Sequence, residues 1–190
     1  MSTVVESILA EYLRYKALAE AAIEQSSDAE LSATGAHAAN SIAVICWHLS
    51  GNLQSRFTDF LSSDGEKPWR EREEEFRART VSRSDLIAKW NDGWNVLLAT
   101  LGTLSDADLQ RTVTIRDQPL LVHEALHRSL AHLSYHVGQI VHIAKAFRGE
   151  KWKYLSIAPG QSDAYNSNPT LERPASHSQQ LADRGPEAPG

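Results

Sequence analysis

"RSLAHLSYHVGQIVHIAKAF", residues 128–147, sets His132 and His136 four residues apart within a run of helically spaced apolar side chains. In an α-helix an i, i+4 pair shares one face at a separation of about 6 Å. Two imidazoles so placed can reach one metal ion. The helical pattern begins near Leu121, and Gly149 is its natural C-terminal stop. Unrolled at about 100° per residue, Leu126, Leu130, Leu133, Val137, Ile140 and Ala144 form one apolar arc. Ser129, His136 and Ile143 lie at its edge, with His132 and Gln139 beside them. A second pair of the same spacing, His123 and His127, falls with His142 on the far side among Glu124, Ser134 and Lys145. Only His132 and His136 are expected to face inward.

Two inward imidazoles need partners for four ring nitrogens. Hydrogen-bonded structural histidines meet that need, and so does a shared ion. A two-histidine site is open to water and weak, so a third ligand matters. His48, at the edge of the apolar arc of an upstream helix near Ile45 and Asn52, is the candidate. Cys46 points about 200° away from His48 and reads as core filler. Gly51 lowers helix stability, which points to close packing or to room for a ligand.

Three further helices are expected. The first spans about Thr3 to Glu24 and the second about Asn40 to Leu61. The third opens at Ser82 with Asp85 in a capping-box spacing and is interrupted at Ser105–Asp108. Thr112–Arg116 is β-branched and alternating, turned by Asp117-Gln118-Pro119, and supports a small hairpin. The fold class is therefore all-α, a four-helix bundle with at most a short β-hairpin before the last long helix. A loop of about 20 residues from Ser62 to Val81 is long enough to carry function. Residues 1–166 form the domain. Residues 167–190, rich in Pro, Ser and Gly, read as a disordered tail with His177 a passenger.

The 190 residues are 42% hydrophobic and 23% charged, the balance of a soluble globular protein. A net charge of -5 argues against a nucleic-acid binder. Arg70–Arg79 alternates with Glu71, Glu73, Glu74 and Glu75 and reads as a solvated, self-paired face. One cysteine excludes an intrachain disulfide and suits a reducing compartment. The N-terminus lacks the pattern of a signal peptide. No apolar run is long enough for a membrane span. A cytoplasmic protein without nucleic-acid or membrane partners is expected.

Two long segments carry a family resemblance. "NSIAVICWHLSGNLQSRFTDFLSSDGEKPWR" (40–70) and "RSLAHLSYHVGQIVHIAK" (128–145), with "LSIAPGQSDAYN" (155–166), resemble the DinB/YfiT-like superfamily, in particular an uncharacterised bacterial subgroup. The resemblance implies a four-helix bundle, often homodimeric. It also implies one divalent metal ion (Zn, Ni or Fe) held by His48, His132 and His136. Some members are thiol S-transferases using bacillithiol, mycothiol or glutathione, and one group isomerises maleylpyruvate. The subgroup itself transfers no defined activity.

These observations lead to two expectations. The first is a metal-dependent enzyme in which an open three-histidine site activates a low-molecular-weight thiol cosubstrate for S-transfer, with hydrolysis the weaker alternative. The second is a non-catalytic metal-binding homodimer with a structural or stress-response role. No carboxylate sits at ligand spacing beside the histidines, so no catalytic residue is assigned. Gln139 and Asn52, one turn from the ligands, are candidates to orient an imidazole or a substrate. Tyr135 is expected on the outer surface. Arg56 is expected in a salt bridge, or against a substrate carboxylate.

Overall fold

The computed structural model describes residues 3–35 and 40–183, which are mostly helical with one small sheet. Helix α1 (Val4–Glu24) begins at the N-cap Thr3 in a reciprocal capping box with Glu6. The Asp106 carboxylate, from a distant turn, accepts the N–H groups of Val4 and Val5 at 3.0 and 2.9 Å. That negative charge at a helix N-terminus also complements the macrodipole. A short α2 (Asp28–Ser32) leads to α3 (Ile42–Phe57), and α4 (Arg72–Glu75) is a single turn within the long loop. Helix α5 (Arg83–Thr103) is capped by Ser82, whose Oγ accepts the Asp85 N–H at 3.2 Å. Strands β1 (Thr112–Ile115) and β2 (Gln118–Leu121) then run directly into α6 (Val122–Arg148).

The long helices α1, α3, α5 and α6 meet around one core. Tyr12 of α1 is fully buried and touches the other three. Its ring packs edge-on against Phe57 of α3 and Trp94 of α5, and its hydroxyl donates to the Leu126 carbonyl of α6 at 3.0 Å. Helix α3 buries residues around most of its circumference, as expected of a central helix. Its approach to α5 is close because position 93 is glycine. A Cβ there would stand 2.6 Å from the Ser50 Cα.

The hairpin pairs Thr112 with Leu121 and Ile115 with Gln118. Its turn residues are Arg116 and Asp117, both left-handed at φ 54° and 59°. Gln118 and Pro119, expected in the turn, instead belong to β2. The Asp64 carboxylate fixes the turn by accepting the N–H groups of Arg116 and Asp117, each at 2.9 Å. The long loop after α3 is thereby tied to the hairpin before α6.

The stretch expected to be a disordered tail is structured as far as Asp183. After α7 (Ser162–Asn166), which ends the expected domain, the tail forms α8 (Pro174–Ala182), which packs on α1. His177 is buried, with Nε2 2.8 Å from the Leu155 carbonyl, and Leu181 one turn later is buried too. Two inward residues in a polar helix are too sparse a pattern to read from periodicity. Residues 184–190 of the expected tail lie outside the described residues. No helix of the described residues is long and apolar enough to cross a membrane.

Candidate metal centre

His48 on α3 meets His132 and His136 on α6. One ring nitrogen from each lies within 4.8 Å of the others, and the Nε2 atoms of His48 and His132 are 3.2 Å apart. His48 and His136 are buried, and His132 is half-buried. Among the described residues no other group of three histidine, cysteine or carboxylate side chains converges in this way. The second i, i+4 pair takes a different course. His123 has its Nδ1 3.0 Å from the Leu109 carbonyl, and His127 and His142 are exposed.

The outer nitrogens of two of the imidazoles are committed. His48 Nδ1–H donates to Glu75 Oε2 at 2.8 Å. Arg70 in turn holds Glu75 through a two-pronged pair, Nε to Oε1 at 2.7 Å and Nη2 to Oε2 at 2.9 Å. His136 Nδ1–H donates to Gln139 Oε1 at 2.8 Å. Both acceptors fix the tautomer that leaves Nε2 with a bare lone pair directed at the cluster. His136 Nε2 is buried and finds no hydrogen-bond partner. An orphaned buried nitrogen beside two further imidazoles is the donor set a divalent ion takes, so the residues present fit one.

Protonation is disfavoured at the same place. Burial, then the neighbouring His136 and His48 and the charges of Arg70 and Arg56, holds His132 down at about 3. Burial, partly offset by the Gln139 hydrogen bond, holds His136 at about 4. Burial alone would raise the Glu75 carboxyl, but hydrogen bonds from Arg70 and His48 outweigh it and keep the group below its usual value. Two neutral imidazoles and an ionised carboxylate are the protonation states that metal ligation requires.

Glu75 and Arg70 correct the sequence reading. The Arg70–Arg79 stretch is a solvated face at Glu71, Arg72, Glu73 and Arg77, but the Glu75 and Arg70 side chains are only 8% and 2% exposed. The loop folds back over α3 and delivers a carboxylate 27 residues away in sequence from the histidine it touches. Gly51 was the legible trace of this contact. A Cβ at position 51 would lie 2.2 Å from Glu75 Oε1, so the glycine makes room for the carboxylate. Phe76 follows and lays its ring 4.6 Å from that of His48.

The other candidates sort as follows. Gln139, a candidate to orient an imidazole or a substrate, accepts the His136 Nδ1–H. Asn52 is buried and lines the cleft. Cys46 is fully buried, and burial pushes its thiol well above the usual range, which suits core filler. Arg56 is salt-bridged to Glu66 at 3.1 Å and also faces the cleft. Tyr135 is exposed on one side, as expected, yet its ring stacks on His136 at 4.1 Å and also forms part of the cleft wall.

The cleft over the histidines has a volume of about 690 Å³, within the range of small-molecule sites. Phe57, Phe60, Phe76 and Ile115 supply its apolar walls. No curated protein and no solved structure gives a significant match to the chain. Residues 2–161 match the model of DUF1572, a family of proteins of unknown function, and the chain belongs to that family.

Proposed function

We propose that this protein is a divalent-metal-dependent enzyme of the DinB/YfiT-like superfamily, a four-helix bundle that carries out thiol-dependent group transfer in its histidine cleft. The observation that carries the reading is the bare, buried Nε2 of His136 facing His48 and His132 at the floor of an open cleft. Three imidazole donors with no fourth protein ligand among the described residues match an open site rather than a closed structural one. Nitrogen donors suit zinc, nickel and iron alike. When bound, the ion supplies Lewis acidity that lowers the pKa of a thiol or a water in the cleft.

The chain's own residues do the rest. His48, His132 and His136 hold the ion. Glu75, braced by Arg70, fixes the ring of His48, and Gln139 fixes that of His136. Glu75 is already hydrogen-bonded to three donor groups and serves as an orienting residue rather than a general base. Phe57, Phe60 and Phe76 give the cleft an apolar side beside the histidines. The protein is expected to work as a homodimer in the cytoplasm.

The test is a screen of the zinc-, nickel- and iron-loaded protein with glutathione, cysteine and bacillithiol against chromogenic aryl halides and epoxides. Thiol-dependent turnover that chelation removes is the expected result. No turnover with any pair, together with a lower melting temperature on chelation, replaces this reading with a metal that braces α3 against α6.

A further inference from the structure

The protein is acidic, with a net charge of -5, yet among the described residues the cleft above the histidines is lined by five arginines and by no aspartate or glutamate. Arg56 comes from the last turn of α3, Arg70 and Arg72 from the loop, Arg116 from the hairpin turn and Arg128 from α6. Independent segments converging with one sign of charge focus the potential inside a cleft.

The carboxylates close behind the wall do not balance these charges. Glu75 is occupied by Arg70 and His48. Glu66 is shared by three guanidinium groups: Arg56 at 3.1 Å, Arg116 at 3.0 Å and Arg70 at 3.9 Å. Arg72 pairs with Glu73, whose side chain is 88% exposed, across highly screened surface. Asp64 is taken up by the backbone amides of Glu66, Arg116 and Asp117. Arg128 makes no hydrogen bond or ion pair among the described residues, although it faces the cleft.

Arg116 adds an independent observation. It occupies a left-handed backbone position, φ 54°, which disfavours any residue with a Cβ. Asp64 holds it there, and the result is an arginine at the rim of the cleft. Asp117 shares that geometry, which a two-residue hairpin turn requires, so the turn fixes where the Arg116 backbone stands.

We propose that the substrate of this cleft is a small organic anion, its carboxylate or phosphate held by Arg56, Arg116 and Arg128 while its other end reaches the three histidines. The proposal deepens the metal-enzyme reading and rests on it for the reacting end only. The guanidinium fork fits both kinds of oxyanion in two-pronged geometry. Arg128 stands one helical turn before His132 on the same face of α6, so one stretch of helix presents both the anchoring and the reacting end of the cleft. The apolar walls suit a short carbon body between them.

The test is calorimetric titration of zinc-loaded and metal-free protein with glutarate, glutaramide and inorganic phosphate, alongside zinc analysis of each sample. Glutarate or phosphate is expected to bind saturably and at least about tenfold more tightly than the uncharged diamide, with affinity falling as salt rises. The tighter of the two identifies the acid group. Arg128→Gln removes no native contact and is expected to weaken the anion about tenfold, and Arg116→Gln with Arg128→Gln about a hundredfold, with zinc content unchanged. Equal binding of anion and diamide overturns the proposal, as does wild-type anion affinity in a folded, zinc-containing double variant or no anion binding at all. Failure of the wild-type protein to hold zinc sinks the metal reading instead. The metal-free titration still reports the anion preference in that case.

Discussion

Helix α6 carries two histidine pairs of identical spacing, and they have different surroundings. His132 and His136 face a buried third imidazole from α3, with ring centroids 4.7 Å apart. His123 and His127 have ring centroids 6.1 Å apart, one against the Leu109 carbonyl and the other exposed. The i, i+4 spacing places a pair on one face. It takes the neighbouring helix, and the loop that folds over it, to turn a pair into a ligand set. The largest expected effect tests this difference directly. Wild-type protein should hold about one divalent ion per chain, and His132→Ala with His136→Ala should reduce this to near none. His123→Ala with His127→Ala should leave it unchanged. Elemental analysis decides, and full retention in the first double variant dissolves the distinction.

The next effect concerns the side-chain acceptors that fix two of the cluster's imidazoles, Glu75 for His48 and Gln139 for His136, which neither His123 nor His127 has. Glu75→Gln keeps the shape but weakens the charge-assisted acceptor for His48, and metal affinity should fall about 10- to 100-fold. Arg70 would keep only Glu66, at 3.9 Å, as a carboxylate partner, and folding stability should also fall by about 1–3 kcal/mol. Chelator competition and chemical denaturation measure the two separately. Unchanged affinity would leave Glu75 a mere partner for Arg70. A smaller effect follows from Gly51→Ala. The added Cβ meets Glu75 Oε1 at 2.2 Å, and the carboxylate can yield only by giving up bonds to His48 or Arg70. A loss of about 1–3 kcal/mol is expected. Gly138→Ala on α6, where a Cβ meets nothing within 4 Å, should instead gain about 0.5–1 kcal/mol.

The same contrast explains how far the sequence could be read. The facing of the two pairs followed from counting around one helix, and His48 followed from counting around another, because helical periodicity is local. The hairpin was legible in the alternation of Thr112–Ile115, although its turn proved to be Arg116-Asp117 held by Asp64, a contact across 52 residues. Glu75 was not legible for the same reason. In the sequence it is one acid within a charged run, and only the path of the loop separates it from exposed Glu71 and Glu73. Gly51 recorded the contact without naming the partner. The helix α8 went unread because its inward residues, His177 and Leu181, are too few to set a period.

The smallest effect is a pH dependence that only the inner pair should contribute. In the unfolded chain a histidine titrates near pH 6.5, whereas burial holds His132 at about 3 and His136 at about 4 in the folded protein. Above about pH 6.5 both states are neutral at these positions, so the stability associated with neutral burial is fully present. As the pH falls below that value the unfolded chain takes up protons that the folded cluster refuses, and folding weakens until the folded imidazoles titrate near 4 and then 3. Metal-free protein should therefore melt at a lower temperature at about pH 5 than at about pH 7. Carboxylates and other histidines contribute to that slope as well, which makes the comparison between variants the decisive measurement. The slope should flatten in His132→Ala with His136→Ala and persist in His123→Ala with His127→Ala. If both double variants keep the wild-type slope, the inner histidines are not held neutral by the fold, and their burial is no guide to ligation.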